Sequence, residues 1–158
     1  MKIKGKWNWS ANIKITAFDL DGNIKSIEEF HNEIHNVGVN MVRDFFDGDV
    51  ADGEIKQLGI GTSNAAIDLT DTQMGNEIFR KAMTTQVDGG TGELVSTVYV
   101  APAEAVFAIK ELGWFAGDAA AASPNYNTGI MVSRVLYTRN KTALESLQIE
   151  RADTIAEA

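Results

Sequence analysis

Phe18-Asp19-Leu20-Asp21-Gly22-Asn23 sets two carboxylates two residues apart behind an apolar run. Such a pair suits phosphoryl transfer, the first carboxylate attacking phosphorus and the second serving as acid and base. The run Asp47-Gly48-Asp49-Val50-Ala51-Asp52-Gly53-Glu54 invites a calcium loop, which wants oxygen ligands at its first, third and fifth positions, Gly at the sixth and Glu at the twelfth. Counted from Asp47, those last three fall on Ala51, Asp52 and Leu58, so the register fails and a solvated acidic turn is the reading. His31 and His35 stand four apart, but the stretch between them lacks the glutamate placement and third ligand of a helical zinc motif, and they read as two surface histidines. Gly59-Ile60-Gly61-Thr62 follows a strand-like run without the Lys-Ser/Thr of a phosphate loop or the third glycine of a dinucleotide loop. Trp7, Trp9, Phe115 and Tyr126 could stack on bases or sugars, a carbohydrate-binding reading; on an acidic chain they read better as core or interface residues. Lys2, Lys4 and Lys6 form a short basic arm suited to ordering or docking.

The Asp19 and Asp21 motif looks like the nucleophile motif of haloacid dehalogenase-like phosphatases. It departs from that pattern in Asn23, which stands where Thr is usual, and in the lack of a βα crossover downstream. Gly117-Asp118 resembles a later metal-binding motif of the same proteins but lacks the second acidic residue. Asp-Gly is itself a turn signal, so a hairpin is the reading preferred here. No catalytic, cofactor-binding or metal-ligating residue is assigned, and no cofactor is expected.

The elements that would carry these residues are mostly strands. Two β-prone runs flank Asp21-Gly22-Asn23, with Ile13 and Ile15 sharing a face. Val37 to Phe46 has Gly38, Met41, Val42 and Phe45 at helical spacing, Asn36 available as N-cap and Gly48 as the left-handed stop. The stretch Glu54 to Met83 organises the rest: a strand with glycines at its exit, a polar loop, and a second apolar segment bearing Arg80 and Lys81. Glu77 to Val87 reads as one strand, joined through a flexible glycine-rich connection to Glu93 to Val100. Val106 to Phe115 reads as a strand with a bulge at Gly113. Ala116 to Asn127 reads as a surface loop of small residues. Gly129 to Tyr137 and Leu144 to Glu150 are the last two strands, and Arg151 to Ala158 a polar, frayed tail.

Six to eight short strands at roughly ten-residue spacing, with one short helix, predict a mainly β chain folded as an antiparallel β-sandwich. The expected organisation is an N-terminal arm and hairpin over 1–27, a sandwich over 28–150 and the tail over 151–158, within a single globular domain.

The chain has 158 residues, 44% of them hydrophobic, which suits one domain with a real core. Its net charge of -8 sets it against nucleic acid and anionic lipid as partners. Without cysteine, thiol nucleophiles, thiolate metal sites and disulfides are excluded. The basic N-terminus lacks the apolar core of a signal peptide, and no window approaches the ~18 apolar residues of a membrane span.

The order of segments from about Glu29 to Ile149 resembles small virion structural proteins of tailed bacteriophages, of the tail-fibre, collar, baseplate or head-decoration type. The resemblance runs through Val37-Gly38-Val39-Asn40, Gln57-Leu58-Gly59-Ile60-Gly61-Thr62-Ser63 with Ala65-Ala66, and Asp68-Leu69-Thr70-Asp71 through Met74-Gly75-Asn76-Glu77-Ile78-Phe79-Arg80-Lys81. It closes on Ile109-Lys110-Glu111-Leu112-Gly113-Trp114-Phe115, Gly129-Ile130-Met131-Val132-Ser133-Arg134-Val135 and Lys141-Thr142. It implies a non-enzymatic assembly module whose partners are other virion proteins and further copies of itself, with a host receptor as one more partner its loops could meet.

Overall fold

The structure, a computed structural model, describes residues 6–158; Lys2 and Lys4 of the basic arm lie outside the described residues. The described strands are β1 (Trp7–Asp19), β2 (Ile24–Asn32), β3 (Ile55–Gly61), β4 (Glu77–Ala82), β5 (Thr85–Gly90), β6 (Glu93–Val100), β7 (Ala108–Ala116), β8 (Ile130–Asn140) and β9 (Glu145–Glu157), and the helix is α1 (Asn36–Asp47). They form an antiparallel β-sandwich. One sheet has the order β2-β1-β9-β6-β5, the other β4-β3-β7-β8. Between them lies a core that includes Ile13, Ile15, Leu58, Ile60, Val98, Leu112, Trp114, Leu147 and Ile149, all essentially without exposure. Each side chain of this size contributes about 1.5–3 kcal/mol when removed from water.

The turn at Asp21-Gly22-Asn23 forms as the sequence predicts. Gly22 takes φ +85°, and the Asp19 and Asn23 main chains close the hairpin. The hairpin is not an appendage, however. β1 pairs with β9 along its whole length, from Trp7 opposite Glu157 to Asp19 opposite Glu145. β9 in turn pairs with β6, so the expected frayed tail is the middle of the five-stranded sheet. The alternation that starts at Leu147 and Ile149 continues inward through Arg151 and Asp153, and two charged residues at inward positions disguise a strand as a tail. The described parts of the 1–27, 28–150 and 151–158 segments thus contribute strands to the same five-stranded sheet.

The expected single strand over 77–87 also breaks. The Met83 N–H still bonds the Lys56 carbonyl in one sheet, and the Thr84 N–H already bonds Thr97 in the other. β4 and β5 therefore belong to different sheets, and β5 turns tightly into β6 through Thr91 and Gly92. The bulge expected at Gly113 falls elsewhere: Gly113 is in register with Gly59 and Arg134, and the irregularities in β7 lie between Ile109 and Glu111 and between Trp114 and Phe115.

The helix forms over the predicted stretch and stops at Gly48 with φ +87°. Its N-cap is His35 rather than Asn36. The His35 N–H is held by the Val132 carbonyl of β8, which keeps that residue extended, and its own carbonyl accepts from Gly38 and Val39. Gly38 lies against the β8 backbone, where a Cβ would stand 2.9 Å from the Val132 Cα. Only this first half of the helix packs: Gly38 and Met41 are buried, whereas Phe46 is 82% exposed.

Candidate functional site

The outer face of the four-stranded sheet is built around three glycines. Gly59 and Gly61 of β3 and Gly113 of β7 leave the sheet bare of side chains, and Met74, Glu77 and Glu111 lie flat across it. A Cβ at Gly59 would stand 2.6 Å from both the Glu77 Oε1 and the Met74 Sδ, and one at Gly113 would stand 2.8 Å from Met74. This close approach explains the Gly-Ile-Gly pattern that hinted at a phosphate loop. Met74, Phe115, Ala120 and Met131 form a second buried cluster over this face.

Buried charges hold two loops onto it. The Glu111 carboxylate accepts from the N–H groups of Ser63 (3.2 Å), Gly75 (3.0 Å) and Asn76 (2.7 Å), and from Arg134 Nε at 2.6 Å. Arg134 donates onward to the Ala65 carbonyl at 3.0 Å. Glu77 takes both Nε and Nη2 of Arg80, at 2.6 and 3.0 Å, and the Asn127 N–H at 2.6 Å. Arg80 spends its remaining donors on Ala121 and Thr128 and lies 4.0 Å over the Phe115 ring. Glu111 and Arg134 thus clasp loop 62–76, and Glu77 and Arg80 clasp loop 117–129. The latter lies at the surface as expected, with Ala122 to Tyr126 exposed, and is tied down there through the Ala121 and Thr128 carbonyls. Sequence reasoning missed these pairs; strand glycines at 59, 61 and 113, with Glu77 three residues before Arg80, were the available signal.

Gly61→Ala is expected to cost about 1–3 kcal/mol by overpacking. Its Cβ would meet the Asn76 carbonyl and stand 2.5 Å from Glu111 Oε1, both fixed by hydrogen bonds. Gly22→Ala serves as comparison, since nothing lies within 4 Å of its Cβ and only the positive φ opposes it. Urea midpoints for both variants check this; equal losses would show that packing at Gly61 is slack.

The sequence-predicted residues fall apart from one another. Asp19 Oδ1 accepts from the N–H groups of Asp21 (2.9 Å) and Asn23 (2.8 Å), and Oδ2 from the Asn23 side chain. Hydrogen bonds from Asn23 and then its neighbours hold the Asp19 pKa below the ordinary carboxylate value. Both oxygens are thus engaged within the turn, and the sheets around it are antiparallel rather than the βα arrangement of the phosphatase family. Asp47 and Asp52 bind the N–H groups of Asp49 and Glu54, and Lys56 pairs with Asp52 and Asp118. Among the described residues, no three His, Cys, Asp or Glu groups converge in a way that could hold a metal ion. His31 is on the surface of β2. His35, expected there too, is wholly buried with neither ring nitrogen hydrogen-bonded. Phe115 is core, and Tyr126 sits in loop 117–129.

Two buried groups make stability depend on pH. Burial lowers the His35 pKa below the ordinary 6.5. Hydrogen bonds from Arg139 and then Lys25 depress Glu145 to about 2, against desolvation. Both folded values lie below the unfolded ones. The neutral His35 contribution is complete above pH ~6.5 and declines as the unfolded chain takes up the proton; that of Glu145, up to ~3 kcal/mol, is complete above pH ~4.5 and is lost as pH falls toward 2. Urea midpoints against pH are expected to fall in these two windows, and His35→Phe to flatten the first. An unchanged slope in that variant would count against His35.

The remaining feature is an apolar groove of about 800 Å³ beside α1. β1 and β9 run 13 residues each and outreach the four-stranded sheet, whose β3 has seven. Their overhanging inner face carries Trp7, Trp9 and Ile155, opposed by Val39, Val42 and Phe46 of the helix. Trp7 is 75% and Val39 54% exposed. Among the described residues lining the groove, Glu33 is the one carboxylate, and there is no lysine or arginine. The adjoining cleft, which shares Trp9, Val42 and Ile155, adds Glu54, Asp88, Glu93 and Asp153 and no lysine or arginine.

The fold and this surface define the class: an antiparallel β-sandwich whose buried charges staple its own loops and whose open end is apolar. Comparison of the chain with protein-family models, with curated proteins and with solved structures gives no match. No helix among the described residues is long and apolar enough to cross a membrane.

Proposed function

We propose that the chain is a non-enzymatic structural protein of a tailed-bacteriophage virion, a tail, neck/collar or fibre-associated component that assembles with copies of itself and with other virion proteins. The observation that carries the assembly role is the apolar end of the sandwich, where Trp7, Val39 and Phe46 stand exposed together. Exposed apolar patches of this kind mark contact surfaces. The order of segments over Glu29 to Ile149, with its likeness to small virion proteins, supplies the setting. The net charge of -8 weighs against nucleic acid and anionic membranes as partners. Engagement of both Asp19 oxygens by the hairpin turn weighs against a phosphatase-like enzyme using Asp19 and Asp21.

Quantitative mass spectrometry of purified particles from a phage encoding this chain tests the reading. A few to a few tens of copies per particle are expected. Hundreds would place it among capsid decoration proteins instead, and absence from particles would overturn a virion role. A magnesium-dependent phosphatase activity lost in Asp19→Asn would revive the enzyme.

A further inference from the structure

We propose that the groove beside α1 receives the N-terminal segment Met1–Lys6 of a second copy of this chain. The inference deepens the assembly reading by naming its partner, and rests on it only for self-association.

The first ground is sequence alternation. From Met1 to Ala17 every odd position is apolar or glycine, and every even position is Lys, Asn, Ser or Thr. Over the described part of β1 the odd positions face the core: Ala11, Ile13, Ile15 and Ala17 are buried. In the sequence, Met1 and Ile3 continue the odd, apolar positions of this pattern, and Lys2, Lys4 and Lys6 the even, polar ones. A strand of this pattern needs an apolar surface on one side.

The second ground is where such a surface is found. β9 partners β1 as far as Lys6, whose carbonyl accepts the Ala158 N–H at 2.6 Å. The groove is lined along β1 by Trp7, Asn8, Trp9 and Ser10, so a strand that continued β1 straight past Lys6 would run away from Trp9 and Ser10 rather than over them. Six residues at ~3.3 Å each reach ~20 Å, enough to lay Met1 and Ile3 into the groove of a neighbour.

The third ground is charge. The segment carries three lysines and no acid, whereas the described residues lining the groove and its adjoining cleft include Glu33, Glu54, Asp88 and Glu93 and no lysine or arginine. Such complementarity selects a basic, apolar-alternating strand over the acidic remainder of the surface.

Sedimentation equilibrium on three proteins tests this: the full chain, a chain lacking Met1–Gly5, and Phe46→Glu. Phe46 is mostly exposed, so its replacement leaves the core intact; Val39→Ser serves if that variant does not fold. The full chain is expected to self-associate, more weakly as salt rises, and each variant to run as a monomer with an unchanged unfolding midpoint. Mixing the two variants is expected to restore a two-chain complex, because one supplies the arm and the other the intact groove. A truncated chain that associates like the parent would overturn the arm as occupant while leaving self-association standing. A parent that stays monomeric would overturn both.

Discussion

Glu111→Ala is expected to lower the unfolding free energy by about 3–5 kcal/mol, the range for removing one partner of a buried ion pair. For a chain of this size that corresponds to roughly 10 °C in Tm. Glu111 has no exposure, and its carboxylate is the common acceptor for three main-chain N–H groups and the Arg134 guanidinium. Without it, Arg134 keeps its carbonyl partners at Ala65 and Ala66 but loses its only buried counter-charge, Asp71 being more distant at 3.7 Å and partly exposed. The N–H groups of Ser63, Gly75 and Asn76 lose their acceptor together. The loop they anchor should therefore open before the sandwich does. Limited proteolysis of the variant is expected to cut first within residues 62–76, at a temperature where the parent resists. Glu111→Gln keeps the shape and one acceptor oxygen but turns an amide N–H₂ toward donors, so its loss should be smaller yet clear. An unchanged midpoint in both variants, with no new cleavage, would show that the clasp contributes nothing.

Arg151→Ala should produce a loss of similar size for a different reason. Arg151 is fully buried inside the sandwich, pairs with Asp153 through Nε and Nη2 at 2.8 Å each, donates to Ser133, and lies 5.1 Å from the Trp114 ring. Its removal strands the Asp153 carboxylate with only the Trp9 indole N–H, at 2.8 Å, as a partner. A buried unpaired charge costs about 3–5 kcal/mol, whereas an apolar replacement of the whole pair is often neutral. Arg151→Met combined with Asp153→Leu is accordingly expected to recover most of the loss, less about 1 kcal/mol for the orphaned Trp9 donor. Urea unfolding of the three proteins decides it. A double variant as unstable as Arg151→Ala would mean that the pair's geometry, not its charge balance, holds this end of the sandwich.

What was legible in the sequence was local. The Asp21-Gly22-Asn23 turn, the helix ending at Gly48, the buried face of Ile13 and Ile15 and the strands around Leu58, Val98 and Leu112 follow from turn chemistry and short-range periodicity, and their spacing implied two packed antiparallel sheets. The N-cap was not legible, because the Val132 carbonyl, nearly a hundred residues away, keeps His35 extended. Nor was the division of 77–87, since its pattern is continuous and only the neighbours at Met83 and Thr84 differ.

By itself the sequence determined the strand-rich class, the hairpin, the helix and the apolar alternation, because each depends on residues within a few positions of one another. Tertiary structure alone decided the rest. A polar residue in a strand reads as solvent-facing until its counter-charge is known. Arg151 with Asp153 became the inside of a central strand, and Glu111 with Arg134 a clasp beneath a loop, because pairing removes the penalty that would otherwise keep such charges in water. The groove too was decided by the tertiary structure: the long β1 and β9 and the unpacked second half of α1 bring Trp7 and Phe46 to one open surface.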